Sequence, residues 1–341
     1  MPATCPTGET SGLHRAQVRT VAMLECYLCC SPGAVLYRPL HDRLYSVSGE
    51  WSLRRCTNPA CGLVWLDPTP WPEDVGKLYE SYFTHPNTPP AWKSRNPVYR
   101  AWVMLGGAYR TLVRSTFIGK MRARAEAMYL DTASPGRLLD VGCGDGNAAA
   151  TLQAKGWEVE GQEIDATAAE FASRTHGFKV HVGPLESLNL PGGAYDAITL
   201  SHVIEHTPDP IALLRECRRL LRPGGILIAI TPNILSFGHA QFKVNWVALD
   251  PPRHLLILSP ATAGEMARRA GFARFNVWTT PARAQFAYIA SRDIASHGRH
   301  LLHKTYSVPQ LVRAFWFELR AWHAWRRDPY SGEELVLEAF A

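Results

Sequence analysis

The chain keeps two hydrophobic rhythms, and the change between them falls near Arg137. From there on, short apolar runs ("RLLDV", "WEVEGQE", "FKVHV", "YDAITLS", "GILIAIT") are separated by stretches of helix composition, "NAAATLQAK", "ATAAEFASRT" and "PIALLRECRRLL". Runs of five to seven residues are typical of strands. Alternating with helices, they predict a parallel sheet covered on both faces. In the last helical stretch Leu214, Cys217 and Leu221 recur on one face while Arg215, Arg218 and Arg222 point elsewhere, and Pro223-Gly224-Gly225 ends it. This is the stripe of a helix that lies on a sheet.

Before Arg137 the pattern is shorter and less regular. "AVLYRPL" and "EWSLRRC" are β-prone flanks of the turn-like "HDRLYSVSGE", which predicts an antiparallel hairpin. Asp67 to Pro97 carries proline at seven positions and reads as an ordered linker. From Val98 to Leu130 apolar residues recur at helical spacing until Gly106 and Gly107 interrupt them, which predicts two helices. The expected organisation is a flexible N-terminus at 1–22, a small module at 23–70, a linker with helices at 71–130, and an α/β domain at 131–341 with a helical insertion at about 285–330.

Composition changes this picture in two places. The 341 residues, 46% hydrophobic, suffice for one large domain and a small one, and a net charge of +6 is too mild to require nucleic acid. The first residues lack the apolar core of a signal peptide, and no segment approaches the ~20 apolar residues that span a bilayer, so a cytoplasmic protein is expected. In a reducing compartment the eight cysteines point to metal rather than to disulfides. Cys26 and Cys29 form a C-x-x-C knuckle, and Cys56 and Cys61 form a second pair on the far side of the hairpin. Four thiolates presented in this way suit a structural zinc ion. Cys30 is an alternative to Cys29, an iron–sulfur cluster is an alternative to zinc, and His41 is a further candidate ligand.

The densest chemistry lies in "LLDVGCGDGNA", Leu138 to Ala148. Gly142, Gly144 and Gly146 follow the first strand of the α/β domain, where a glycine-rich turn lets backbone approach a ligand. The spacing is G-x-G-x-G, not the G-x-G-x-x-G that cradles a dinucleotide pyrophosphate. Asp140 ahead of the glycines would repel phosphate and suits a cationic amine. S-adenosylmethionine carries such an amine, and its ribose diol needs an acceptor at the end of the second strand. Glu163 stands there, 23 residues beyond Asp140, with Asp165 as an alternative. Ile164 adjoins it, Leu185 and Glu186 fall where adenine would lie, and Ser201 and His202 end the fourth strand.

These pieces, with "LPGGAYDAITLSHVIEHTPDP" and "LRECRRLLRPGGILIAITPN", resemble a class I S-adenosylmethionine-dependent methyltransferase domain from residue 137 to about 280. "DPPRHLLILSPATAGEMARRAGF" and the closing "SGEELVLEAF" continue the likeness. The resemblance implies a Rossmann-like, doubly wound sheet of seven strands, with strand six at "ARFNVWTT" and strand seven at Glu333 to Glu338. "RCTNPACGLVWLDPTP" is similar to a zinc-ribbon segment that precedes such domains in bacterial methyltransferases associated with glycan or secondary-metabolite modification.

Methyl transfer is an in-line displacement in which alignment supplies much of the rate, and for an oxygen acceptor a histidine is the natural base. His206 of "SHVIEH" and His254 of "DPPRHL" are the candidate acceptor-side residues. "HVIEH" formally matches a metalloprotease pattern that requires a helix, but here it starts at a strand end. It also differs from the E-x-x-E-H metal motif of some quinone-pathway O-methyltransferases, because His202 stands in place of the first glutamate. "DPPR" differs from the D-P-P-Y of adenine-N6 DNA methyltransferases in position and in Arg253, which argues against a nucleic-acid substrate.

The expected activity is methylation of an oxygen on a small molecule or a glycan, including a lipid-linked sugar. The alternatives are carbon or nitrogen methylation and a non-catalytic S-adenosylmethionine-binding scaffold. In "VPQLVRAFWFELRAWHAWRRD", Phe315, Trp316, Trp322 and Trp325 lie among arginines. That helix is expected to pack on the domain or to meet a membrane surface, which would place the protein at the membrane periphery.

Overall fold

The computed structural model describes residues 18–79, 116–300 and 306–341. Within them the apolar runs become strands where expected. In the N-terminal part these are β1 (Thr20–Val21), β2 (Gly33–Leu40), β3 (Trp51–Cys56), β4 (Val64–Asp67) and β5 (Thr69–Pro70). The central sheet contains β6 (Arg137–Val141), β7 (Glu158–Glu163), β8 (Lys179–Val182), β9 (Tyr195–Ser201) and β10 (Leu221–Pro232), with β12 (Arg274–Thr280) and β13 (Glu334–Phe340). A short β11 (Leu256–Ile257) lies between the last groups.

The seven-stranded sheet has the order β12-β13-β10-β9-β6-β7-β8. Pairing is parallel from β10 through β9, β6, β7 and β8, whereas β13 runs antiparallel to both β10 and β12. The sheet is therefore mixed rather than wholly parallel. The chain leaves β6 toward β7 and β8, then returns to build β9 and β10 on the other side. That reversal is a topological switch point, where the carboxyl ends of the strands open a crevice.

Local chemistry sets the helices. Helix α1 spans Phe117–Glu126, α2 Asn147–Gln153, α3 Ala166–His176, α4 Pro210–Leu220, α5 Phe237–Phe242, α6 Pro260–Arg269, α7 Ala284–His297 and α8 Val308–Arg327. Asp209 caps α4 by accepting from the Ala212 N–H (2.9 Å), with proline at the first turn, and Ser259 and Thr262 form a capping box on α6. Such caps satisfy amide groups that a helix end leaves open. Helix α4 buries Ile211, Leu213, Leu214, Cys217 and Leu220, so the predicted stripe is its packed face. The predicted insertion contains α7 and α8, which pack together through Ala284, Phe317 and Ala321.

Two sequence expectations change, and a third falls partly outside the described residues. Thr20–Val21 pairs with Thr69–Pro70, and Arg19 binds Asp74 at 2.9 Å, so part of the stretch expected to be a flexible terminus is structured; residues 1–17 lie outside the described residues. Of the two helices expected between Val98 and Leu130, α1 is seen, and the Gly106-Gly107 break lies outside the described residues. The N-terminal hairpin is also not a separate sheet. Its order is β11-β4-β3-β2, with Leu256 opposite Trp65 and Ile257 opposite Val64, so the segment after β10 supplies one edge. Leu53, Leu63, Leu66 and Trp65 accordingly share one core with the central domain.

Candidate active site

The glycine loop joins β6 to α2. Gly142, Gly144 and Gly146 all have positive φ (66°, 54° and 79°), a region that side chains rarely adopt. The crowding differs among them. A Cβ at Gly142 would meet Val203 at 2.6 Å and one at Gly146 would meet Ala172 at 2.9 Å, whereas nothing lies within 4 Å of a Cβ at Gly144. Gly144 is thus the member that faces open space.

Glu163, at the end of β7, binds this loop. Its Oε2 accepts the Gly144 N–H at 2.8 Å, while Oε1 accepts the Ile164 and Asp165 N–H groups at 2.7 and 3.0 Å. The carboxylate is therefore fixed at the mouth of the crevice. Asp165, the alternative ribose acceptor, instead caps α3 by accepting from Thr167 N–H at 2.8 Å. Ile164 is 65% exposed, an apolar side chain at the rim. Ser201 ends β9 and His202 follows it, both half-buried, and Glu186 is exposed at the third strand end.

Two candidate cofactor residues are buried. Asp140 is 2% exposed, accepts a hydrogen bond from Thr199 Oγ1 at 2.6 Å, and burial pushes it up to about 6. It lies opposite Gly161 and Thr199 in the sheet. Leu185 joins the hydrophobic core. Sequence reasoning missed Gln162, which is buried. It accepts from Gly142 N–H at 3.1 Å and donates to Gly183 O at 2.6 Å, tying the first and third strand ends together. Its strand, EVEGQE, is polar at most positions, so nothing in the local sequence singles Gln162 out.

On the other side of the switch point, residues after β9 form a polar group. His202 has φ 56°; its Nδ1 lies 3.2 Å from Glu205 and its Nε2 2.9 Å from Glu334. Burial favours the neutral ring, but the two carboxylates outweigh it and push His202 up to about 9. His202 is therefore a cation near neutral pH. It also lines a cavity of about 180 Å³ with Arg122, Ser201, Ile230, Arg283 and Glu334.

His206 has the opposite character. Burial and the neighbouring His254 bring it down to about 4, so the ring is neutral. Its Nδ1 lies 3.0 Å from the Arg253 carbonyl and 2.9 Å from the Tyr79 hydroxyl. His254 meets Ala248 O through Nδ1 at 2.8 Å. Glu205, fully buried, accepts from Thr231 Oγ1 at 2.8 Å, and burial opposed by His202 leaves it lowered to about 2. Ile204–His206 is a 3₁₀ turn, so the helix that a metalloprotease motif needs is absent there. The structure nevertheless gathers one donor atom each from Glu205, His206 and His254 within 4.8 Å of one another.

The four cysteines converge as well. Cys26 Sγ is 3.6 Å from Cys61 Sγ, Cys29 Sγ is 3.4 Å from Cys56 Sγ, and all four sulfurs lie within 4.8 Å of one another. A tetrahedral ion with bonds of about 2.3 Å spaces its sulfurs about 3.8 Å apart, so the donor set fits zinc. Cys30 is exposed at φ 55° and outside the group, and His41 bonds Gly49 O in the hairpin loop.

Residues 114–276 match the family described as a methyltransferase domain. That span, just under half of the chain, carries the glycine loop and strands β6 to β10, and it is the part of the chain similar to a methyltransferase domain. Among curated relatives, a ubiquinone biosynthesis O-methyltransferase of Chromobacterium violaceum is 30% identical over 150 residues, 40% of this chain and 63% of that protein. A probable S-adenosylmethionine-dependent methyltransferase of Mycolicibacterium smegmatis is 33% identical over 40% of this chain and 51% of its own length. The chain thus spans between half and two thirds of these relatives. Similar solved structures include an S-adenosylmethionine-dependent methyltransferase from Thermotoga maritima, 20% identical, covering 70% of this chain and 99% of that one with a TM-score of 0.44.

Proposed function

We propose that this protein transfers a methyl group from S-adenosylmethionine to an oxygen of a small-molecule or glycan acceptor. The observation that carries the reading is the Gly144–Glu163 pair: an open glycine and a fixed carboxylate at the switch point, next to a group of histidines of opposite charge state. Gly142, Gly144, Gly146, Glu163, Ile164, Ser201 and His202 would hold the cofactor, with Asp140 and Leu185 acting from behind and Glu186 from the rim. Bound there, S-adenosylmethionine supplies an electrophilic methyl group. His206, uncharged and with Nδ1 turned to a carbonyl, keeps a lone pair on Nε2 to receive the acceptor proton. The name of the Chromobacterium violaceum relative supports oxygen as the acceptor atom.

The cysteine group supports a structural zinc ion held by Cys26, Cys29, Cys56 and Cys61. Among the described residues no helix is long and apolar enough to cross a membrane. Helix α8 packs by Ala314, Phe317, Glu318 and Ala321 but leaves Val308, Val312 and Trp316 exposed beside Arg313 and Arg320, which supports contact with a membrane surface by a cytoplasmic protein. Calorimetric titration with S-adenosylmethionine, with NAD as control, tests the central reading. Binding of the first alone is the expected result, and binding of NAD alone would overturn it.

A further inference from the structure

One buried side chain joins the cysteine-bearing module to the candidate acceptor side. Arg253 is completely buried. Its Nη1 and Nη2 donate to the two oxygens of Asp42, each at 2.8 Å, its Nε donates to Asp250 at 3.0 Å, and its guanidinium lies 4.6 Å from the centre of the Tyr45 ring. Asp42 belongs to the loop between β2 and β3, and that loop is wound about its carboxylate. The N–H groups of Leu44, Tyr45 and Val47 donate to it at 2.8, 3.0 and 2.9 Å. Burial opposes the charge of Asp42, but Arg253 and these amides hold its carboxyl below the usual range.

The main chain of the same arginine faces the histidines. Its carbonyl is the 3.0 Å partner of His206 Nδ1, and the next residue is His254. Leu255 N–H then donates to Glu205 O at 2.8 Å, and Leu255 O accepts from Leu66 N–H of β4 at 3.0 Å. The segment carrying His254 is therefore threaded between the module and the turn that carries His206. A bidentate arginine–carboxylate pair fixes orientation as well as charge; Asp250 binds the same guanidinium through Nε and Nη2, so Arg253 is clamped between a carboxylate of the module and one of its own turn.

We propose that Asp42 is a positioning residue for His206 and His254: through Arg253 it holds a backbone carbonyl on His206 Nδ1 and so selects the tautomer whose Nε2 is a free base. A carbonyl can only accept, so its bond to Nδ1 requires the ring proton there, with the Tyr79 hydroxyl, 2.9 Å from the same nitrogen, accepting from it as well. The proposal rests on the reading of these histidines as acceptor-side residues. It gives the N-terminal module a task in the site that is distinct from gripping a substrate.

The test is a long-range ¹H–¹⁵N spectrum of the full chain at fixed neutral pH, which reports the tautomer of each imidazole and needs no acceptor. His206→Gln assigns the signal. The wild-type protein is expected to show His206 protonated on Nδ1, and Asp42→Asn and Arg253→Lys, which keeps the charge but loses the fork, are each expected to give a mixture of tautomers. Tyr27→Phe, which removes another link across the same boundary (Tyr27 to Asp209), should leave the signal unchanged. A wild-type His206 protonated on Nε2 overturns the proposal even if neither variant folds, as does an unchanged signal in a folded Asp42→Asn or Arg253→Lys protein. Loss of the site reading would show up separately, as full turnover in His206→Ala while the wild-type protein shows His206 protonated on Nδ1.

Discussion

His206 and His254 meet edge to face, with ring centres 4.7 Å apart and planes at 70°, and each turns Nδ1 to a main-chain carbonyl. Burial is the main reason the His206 ring is uncharged where a solvated one would titrate, and the neighbouring His254 adds to it.

The pH dependence of turnover follows from that pair. The folded His206 is brought down to about 4, below its unfolded value near 6.5. The stability linked to it is therefore present above about pH 6.5 and lost as pH falls through about 4. A base of this kind is already unprotonated at neutral pH, so the pH–rate profile should lack a limb near 6.5 and fall only in acid. His206→Ala should lower turnover by about 10²–10⁴-fold, and an unchanged rate in that variant would leave alignment alone as the source of catalysis.

Glu163 should control cofactor affinity. Glu163→Ala removes a carboxylate that accepts from three backbone amides, leaving the Gly144 N–H without its partner. Losing a charged hydrogen-bond acceptor of this kind costs roughly 1.5–3 kcal/mol. Calorimetry should thus show S-adenosylmethionine binding weakened by one to two orders of magnitude, while Asp165→Ala weakens α3 and leaves affinity within a few-fold.

Glu333 predicts a stability effect remote from the reaction. Burial pushes its carboxyl up to about 8; Oε1 accepts the Gly238 N–H at 2.7 Å, and Oε2 has no hydrogen-bond partner among the described residues. A raised acid stabilises fully below its unfolded value near 4.5, and that contribution is lost as pH rises through about 8. Glu333→Gln should raise the melting temperature at pH 8 by a few degrees, the shift expected for about 1 kcal/mol in a domain of this size, and should not raise it at pH 4.5.

Metal analysis should find one zinc ion per chain. Cys56→Ser should lose it and Cys30→Ser should keep it, since Cys30 stands outside the sulfur group. Because β11 completes the module's sheet, chelation should also loosen the segment that carries His254. Hydrogen exchange at Leu255–Leu258 is the measurement. Protection unchanged after complete zinc removal would show that the metal does not support this edge.

Much of this was legible in the order of the residues. Strand placement, the glycine turn, Glu163 and the paired cysteines all rest on local signals: a period of side chains, a positive φ that glycine tolerates, a spacing that a metal ion can close. What the order of residues could not decide was burial. The order of residues does not say that Asp140 is buried against Thr199 or that Leu185 joins the core. Whether His202 and His206 are charged depends on Glu334, distant in sequence, and on His254. Nor could local pattern reveal that Asp42 and Arg253, 211 residues apart, share one buried ion pair. Periodicity and spacing are properties of neighbours in the chain and determine which elements form; burial and charge partnership are properties of neighbours in space, and only the packed structure assigns them.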